Sequence, residues 1–285
     1  MNIFINGFGR IGEAIYQILK DDAKVDIVGI NDIYPVDVDD VPTFCERDPK
    51  NLDLSSVDVL VQSSGAFLKE DQNKIFLNQG AKKVIISAPS DAPSFIYGIN
   101  HKNYNGEKII SASSCSATAI TPVIKVFEKF GIKACFASMI HSYTNDQALL
   151  DRAKPYMDIR RVRSATINTL PLYSTAPQAV RRFFPELKIE ATSIRVPVAY
   201  CTFYDLTIFL KDEIEDFEKL IKDNLEYSYE KLVSSDFIKD KRAVVVDMDF
   251  SFYHDRVLRI SAWQDNEYGY SFQLVKLIKE LYARA

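Results

Sequence analysis

Cysteine is scarce in this chain of 285 residues. Its four copies, Cys45, Cys115, Cys135 and Cys201, form no close pair and have no histidine at finger spacing, which excludes a disulfide framework and a structural zinc site. An excess of either charge is also missing. With 35 Lys and Arg against 39 Asp and Glu, the formal net charge is −4, so the basic face of a nucleic-acid binder or of a membrane-surface helix is not there. No apolar run approaches the ~20 residues of a membrane span. The opening MNIFINGFGRIGEAIYQILK places glycines and charges where a secretory signal needs unbroken apolar residues. Linkers rich in Gly, Ser or Pro, internal repeats and low-complexity tracts are absent too. The expectation is a cytoplasmic protein with no metal, nucleic-acid or membrane partner. What is present is ordinary for a globular chain: 47% hydrophobic and 26% charged residues, at a length that fits about two domains.

The first 112 residues alternate short apolar runs with helical patterns. Residues 2–6 (NIFIN) read as a strand, and Ile11, Ala14, Ile15, Ile18 and Leu19 follow on one helical face. Further strands are expected at 25–30, 57–62, 83–87 and 108–112, with a helix at 69–78. Such alternation predicts a doubly wound parallel sheet covered on both faces. From residue 118 the character changes to a helix reaching about Phe130, kinked at Pro122 or starting near it. Longer strands then follow at 134–143, 192–196, 201–210, 243–252 and 257–263. They read as a mostly antiparallel sheet in an α+β catalytic domain. The C-terminal helix from Glu267 is expected to rejoin the first domain, dividing the chain into 1–114 with 266–285, and 115–265.

Gly7, Gly9, Arg10, Ile11 and Gly12 belong to a G-x-G-x-x-G pattern lying between the first strand and the first helix. There Gly7 permits a tight turn, Gly9 lets backbone approach a pyrophosphate, and Gly12 brings helix and strand together at a helix N-terminus that favours anions. Asp32 follows Gly12 by 20 residues at the end of the second strand. A carboxylate there accepts ribose hydroxyls and repels a 2′-phosphate, so the expected cofactor is NAD.

Cys115, within Ser113-Ser114-Cys115-Ser116, falls where a strand gives way to a helix. A helix N-terminus and a nearby imidazole both favour thiolate, the nucleophilic form. A cysteine without such a setting is ordinarily a small buried hydrophobe. His141 ends the strand that returns 26 residues later, which makes it the candidate base over His101 and His254.

Taken together, seven segments in order resemble the glyceraldehyde-3-phosphate dehydrogenase family over nearly the whole chain. They are INGFGRIG (5–12) with Asn31-Asp32, SSGAF (63–67), GAKKVIISAPS (80–90), SSCS (113–116), HSYTNDQ (141–147), RVP (195–197) and WQDNEYGYS (263–271). The resemblance implies a Rossmann domain joined to a catalytic domain, with Cys115 as nucleophile and His141 as base. It implies that Thr144, Asp146 and Arg195 hold the phosphate of an aldehyde substrate. Arg163 and Ser174 would hold inorganic phosphate, with Ser114 and Ser116 beside the cysteine. Asn266 and Tyr270 would orient the nicotinamide, and Ser87 would contact the cofactor. The implied chemistry is oxidation through a thioester that phosphate cleaves, in a homotetramer whose 151–163 segment lies against a neighbour. Phe203, Ile208, Val244 and Val246 are expected to form an uncovered apolar sheet face that a second copy would cover, giving at least a dimer.

The chain also departs from the family pattern. The link from Ile33 to Phe44, before Glu46-Arg47-Asp48, is shorter by several tens of residues and leaves no room for an extra strand. Tyr173-Ser174-Thr175 stands for Ser-Thr-Gly, Val198 for a threonine, and Ala119 for a second cysteine. Two other readings stay open on the sequence: an erythrose-4-phosphate dehydrogenase that releases an acid by water, and a weakly active or non-catalytic paralogue.

Overall fold

Strands buried on both faces must be apolar throughout, and the first half of the chain is built from such strands. The computed structural model describes residues 1–144, 147–151 and 158–284. It contains β1 (Asn2–Asn6), α1 (Arg10–Leu19), β2 (Asp26–Asn31), β3 (Thr43–Phe44), β4 (Val59–Gln62), α2 (Glu70–Asn78), β5 (Lys83–Ile86) and β6 (Ile109–Ser111). The six strands are all parallel, in the order β3-β2-β1-β4-β5-β6. This is the strand order of dinucleotide-binding sheets, whose direction reverses between β1 and β4 and opens a crevice at the strand C-termini. The short 33–44 link does end in a strand, contrary to expectation, because two residues suffice to pair Ile30 with Thr43 and Asn31 with Phe44.

Period-two alternation sorts the apolar side chains onto the two faces. Ile3, Ile5, Val59, Val61, Ile85 and Ile110 join one core with Ile15 and Leu19 of α1. Tyr270, Leu274, Val275, Leu277, Ile278 and Leu281 of the last helix, α6 (Tyr268–Ala283), complete that core. Phe4, Leu60, Val84, Ile86 and Ile109 face the other way with Phe76 of α2. Burying the fully enclosed Ile5 or Leu60 side chain contributes about 2 kcal/mol each.

The chain divides into two compact units, Met1–Cys115 together with the chain from Tyr270 onward, and Ser116–Gly269. The second contains most of α3 (Cys115–Phe127), then β7 (Ile132–Ser142), β8 (Leu170–Tyr173), α4 (Ala176–Arg181), β9 (Ile189–Val196) and β10 (Thr202–Leu210). These are followed by α5 (Phe217–Asn224), β11 (Tyr227–Ser228), β12 (Val245–Asp247), β13 (Phe252–His254) and β14 (Val257–Gln264), and by the start of α6 (Tyr268–Ala283). The sheet runs β11-β12-β14-β10-β7-β9-β8, with β13 paired to β14.

The sheet is mostly antiparallel, as expected, with β7–β9 and β11–β12 as its parallel pairs. Three expectations are corrected here. The strand expected over 243–252 is two: Asp247 accepts the N–H of Asp249 and starts a 3₁₀ turn, and Ser251 Oγ donates to the carbonyl of Asp247 at 2.7 Å to close it. Of the two expectations for Pro122, a helix start near it is overturned, since α3 runs from Cys115 to Phe127 with Pro122 inside it. Ile208, Val244 and Val246 are buried within the chain, and Phe203 rests on Trp263, so the exposed apolar strand residues are instead Phe136, Phe209, Phe252 and Val257. Among the described residues, no helix is long and apolar enough to cross a membrane.

Candidate active site

The glycine turn separates what the fold needs from what a ligand needs. Gly7 has φ +98°, and a Cβ there would collide with the backbone of Ser63 and Ser64 at the end of β4. A Cβ on Gly12 would strike the carbonyl of Gly7. Both glycines are required by the packing of strand, turn and helix. Gly9 differs, because a Cβ there meets nothing within 4 Å, and its φ of −76° is open to any residue. It caps α1 without a side-chain hydrogen bond, leaving first-turn N–H groups directed outward. An open cradle at a helix N-terminus fits a pyrophosphate.

Around this turn the polar side chains are fixed. Asp32 accepts the N–H of Phe8 on Oδ2 at 2.7 Å and that of Tyr34 on Oδ1 at 3.1 Å. A carboxylate has about four lone-pair sites, so acceptor capacity remains for hydroxyls of a ribose. Ser87 Oγ donates to the carbonyl of Gln62 at 3.1 Å, at the end of the neighbouring strand. Ile11 packs against the core, while Arg10 is half-buried.

Cys115 is the first residue of α3 and is half-buried against the α1 and α6 core. The turn before it is tight. Ser113 is fully buried with φ +61°, a left-handed conformation that costs a serine free energy and gives its place functional interest. Ser113 donates its N–H to Ser111 Oγ at 3.0 Å. Nothing in the sequence marked Ser113 as left-handed, since glycine is the usual signal. Ser114 is half-buried and Ser116 buried. Burial, and then the charge of Cys115, raises the Tyr270 phenol well above its usual range, so Tyr270 is a neutral hydroxyl. Burial pushes the Cys135 and Cys201 thiols up to about 12, and Cys45 is exposed.

In the second unit, β7 and β9 lie side by side with His141 in register with Arg195. That register brings the base candidate and a phosphate-site candidate together. Arg195 Nη1 lies 2.7 Å from His141 Nδ1 and donates to the carbonyl of Ser142 at 2.9 Å, while Nδ1 lies 2.7 Å from the same carbonyl. Asn266 Oδ1 accepts from Ser142 Oγ and Thr202 Oγ1, each at 3.2 Å, which turns its amide NH₂ away from both hydroxyls. Ser142 and Thr202 were not singled out from the sequence, and only strand pairing reveals their role. Thr144 donates its N–H to Gln147 Oε1 at 3.0 Å.

The remaining candidates are engaged elsewhere. Arg163 is exposed and pairs with Asp151 at 3.5 Å. Ser174 Oγ accepts the N–H of Ala176 at 3.0 Å at the start of α4. Asp146 lies outside the described residues, as does the middle of the 151–163 segment. Among the described residues, no three His, Cys, Asp or Glu side chains cluster to hold a metal ion.

Comparison with known proteins identifies the family. Residues 114–266 match the family described as glyceraldehyde 3-phosphate dehydrogenase, C-terminal domain, and so span nearly all of the second unit. Glyceraldehyde-3-phosphate dehydrogenase of Helicobacter pylori is 33% identical over 333 positions, covering 99% of each chain. Glyceraldehyde-3-phosphate dehydrogenase 1 of Kluyveromyces marxianus is 33% identical, again with 99% of each chain covered. Glyceraldehyde-3-phosphate dehydrogenase 2 of Bacillus subtilis is 31% identical over all of this chain and 97% of its own. The chain belongs to the glyceraldehyde-3-phosphate dehydrogenase family. It is a short member, because 333 aligned positions against 285 residues leave at least 48 with no counterpart here.

Proposed function

We propose that the protein is an NAD-dependent dehydrogenase that oxidises a phosphorylated aldehyde, of the glyceraldehyde 3-phosphate type, to an acyl phosphate. The observation that carries this reading is Cys115 at the first position of α3, in a chain whose thiols at 135 and 201 are buried and held protonated. The open cradle at Gly9 and the anchored carboxylate of Asp32 support a dinucleotide, and Asp32 favours NAD over NADP through repulsion of a 2′-phosphate. Arg10, Ile11 and Ser87 complete that side.

The reaction divides among the chain's own groups. The helix N-terminus stabilises the Cys115 thiolate, which attacks the aldehyde carbon. The backbone N–H at Cys115 stabilises the resulting oxyanion, which takes up the proton that the thiol released and becomes a hydroxyl. His141 removes that proton as the carbon is oxidised, leaving a thioester on Cys115. Bound NAD supplies the hydride acceptor. Asn266, its oxygen held by Ser142 and Thr202, keeps donors available for a carboxamide, and Tyr270 serves the same ring. Inorganic phosphate then cleaves the thioester. Arg195 and Thr144, with Asp146, hold the substrate phosphate, while Arg163 and Ser174 receive the attacking one, aided by Ser114 and Ser116. Arginine suits both places because its planar fork binds phosphate oxygens in pairs.

The protein acts in the cytoplasm as a homo-oligomer, a dimer or a tetramer. The face carrying Phe136, Phe209, Phe252 and Val257, with the Asp205–Arg259 ion pair among them, supports self-association. One assay tests the reading: NADH formation from NAD and each of several phosphorylated aldehydes, with phosphate present or absent. Phosphate-dependent turnover is expected. Turnover that yields the free acid at the same rate without phosphate would replace phosphorolysis by hydrolysis, and no NADH with any aldehyde would end the proposal.

A further inference from the structure

His141 Nδ1, Arg195 Nη1 and the carbonyl oxygen of Ser142 form a triangle with sides of 2.7, 2.7 and 2.9 Å. All three sides are at hydrogen-bond distance, yet no single tautomer of the imidazole satisfies all three. If Nδ1 carries the proton, it donates to Ser142, and the guanidinium, which has only donors, faces another donor. If Nδ1 is bare, it accepts from Nη1, whose second hydrogen serves Ser142, but two lone pairs then face each other between Nδ1 and the carbonyl. Each tautomer satisfies two contacts and opposes the third. A buried ring in such a setting has two competing states, and His141 is 4% exposed.

The two states differ in what the ring can do. Nδ1 is the nitrogen turned inward to Ser142 and Arg195, so Nε2 is the one through which the ring exchanges protons with a substrate. With Nδ1 protonated, Nε2 has a lone pair and is a base. With Nδ1 bare, a neutral ring carries its proton on Nε2, which then has no lone pair and cannot act as the base.

We propose that Arg195 is a positioning residue that couples phosphate binding to the tautomer of His141. While the guanidinium rests on Nδ1, it favours the Nε2–H form. An anion that draws the guanidinium off Nδ1 leaves that nitrogen on the Ser142 carbonyl, selects the Nδ1–H form and arms the base. A phosphorylated aldehyde thereby readies the base that oxidises it, and an aldehyde without phosphate meets the ring in the wrong tautomer. This deepens the reading above, on which it rests for His141 as base and Arg195 as phosphate ligand.

The tautomer is directly measurable, because the chain has only three histidines. Long-range ¹⁵N–¹H correlation of the full chain labelled at histidine, assigned with His101→Gln and His254→Gln, reports which nitrogen of His141 is protonated. At about pH 8 an ordinary imidazole is neutral. The probe is glycerol 3-phosphate, a phosphomonoester with no aldehyde for Cys115 to attack. Without it His141 is expected mainly as Nε2–H, and at saturation mainly as Nδ1–H, a change of at least about tenfold in the tautomer ratio. Arg195→Gln is expected to give Nδ1–H with or without the probe. An unchanged tautomer when calorimetry shows that glycerol 3-phosphate has bound would overturn the proposal. If the probe does not bind, the phosphate-ligand reading falls and the coupling falls with it. Identical tautomers in the wild type and Arg195→Gln would remove Arg195 from control of the ring even if the His141 base reading stands.

Discussion

The carboxylate of Asp32 accepts the backbone N–H of Phe8 at 2.7 Å, tying the end of β2 to the glycine turn after β1. One side chain therefore shapes the turn and presents negative charge beside it. Asp32→Ala is expected to lower stability by about 2 kcal/mol through loss of a charge-assisted bond, and to narrow the preference for NAD over NADP. Asp32→Asn, which keeps one acceptor, should recover part of the stability but not the discrimination. Urea titration with paired cofactor titrations separates the two effects, and tighter NADP than NAD in the unmutated protein would contradict the assignment.

Adding a methyl group at each glycine should give opposite phenotypes. Gly7→Ala and Gly12→Ala place a Cβ into backbone and are expected to destabilise the first unit by about 2 kcal/mol or more. Gly9→Ala meets only open space, so its melting temperature should stay within a degree or two of wild type. Its NAD affinity should fall by about tenfold or more, some 1.4 kcal/mol. Equal NAD affinity in Gly9→Ala and wild type would place the cofactor elsewhere.

The four thiols should sort by environment. Mass-spectrometric alkylation near neutral pH is expected to modify Cys115 first and Cys45 at an ordinary rate, while Cys135 and Cys201, pushed up to about 12 by burial, stay unmodified in the folded protein. Cys115→Ser should abolish NADH formation, and His141→Asn should reduce it by roughly 10²–10⁴-fold with little loss of stability. Equal alkylation of all four cysteines would remove the special status of Cys115.

Acid should weaken the first unit through His101. Burial, with Arg284 and Lys102 adding and Glu280 opposing, holds its imidazole below the ordinary range, and its Nδ1 accepts the N–H of Gly98 at 2.9 Å. A proton on Nδ1 would end that bond. The unfolded chain therefore binds the proton more readily than the folded one. The stability that the neutral ring contributes is complete above about pH 6.5 and declines as the pH falls toward the lower folded value. His101→Phe should cost about 1 kcal/mol at pH 7 through the orphaned Gly98 N–H. It should also flatten the decline measured by urea unfolding between about pH 7 and 5. The same slope in both proteins would assign the decline to other groups.

Self-association is expected through exposed aromatic residues of the second sheet. Phe136 and Phe209 are 55% and 37% exposed, and their rings meet edge to face at 6.3 Å. Sedimentation should find a dimer or tetramer for wild type at micromolar concentration, and a shift toward monomer for Phe136→Asp with Phe209→Asp, the fold unchanged. A wild-type monomer would refute this.

The first sheet was legible from sequence because parallel strands buried on both faces must be apolar runs, and because Gly7 and Gly12 are demanded by packing that every such turn shares. Cys115 was legible for a similar reason, lying where a strand ends and a helix begins. The second sheet was less so. The parallel pairing of β7 with β9 depends on register between segments 54 residues apart at His141 and Arg195, and no local pattern carries it. The turn at Met248–Phe250 arises from side-chain oxygens of Asp247 and Ser251 that compete with strand pairing. The left-handed Ser113 had no glycine to announce it. The two hydroxyls holding Asn266 come from β7 and β10, which neighbour each other only in the folded sheet.

Because α6 supplies six of the core residues that cover one face of the first sheet, the order in which the ribosome delivers the chain matters. Residues 1–115 emerge first but lack that cover, whereas Ser116–Gly269 leave as one continuous stretch with their sheet complete. The later segment can close during synthesis while the earlier one waits with Ile3, Ile5 and Val61 only partly covered on that side, by Ile15 and Leu19 of α1. The nascent first unit is thus a client for whatever shields apolar surface at the exit tunnel, until the last helix is released.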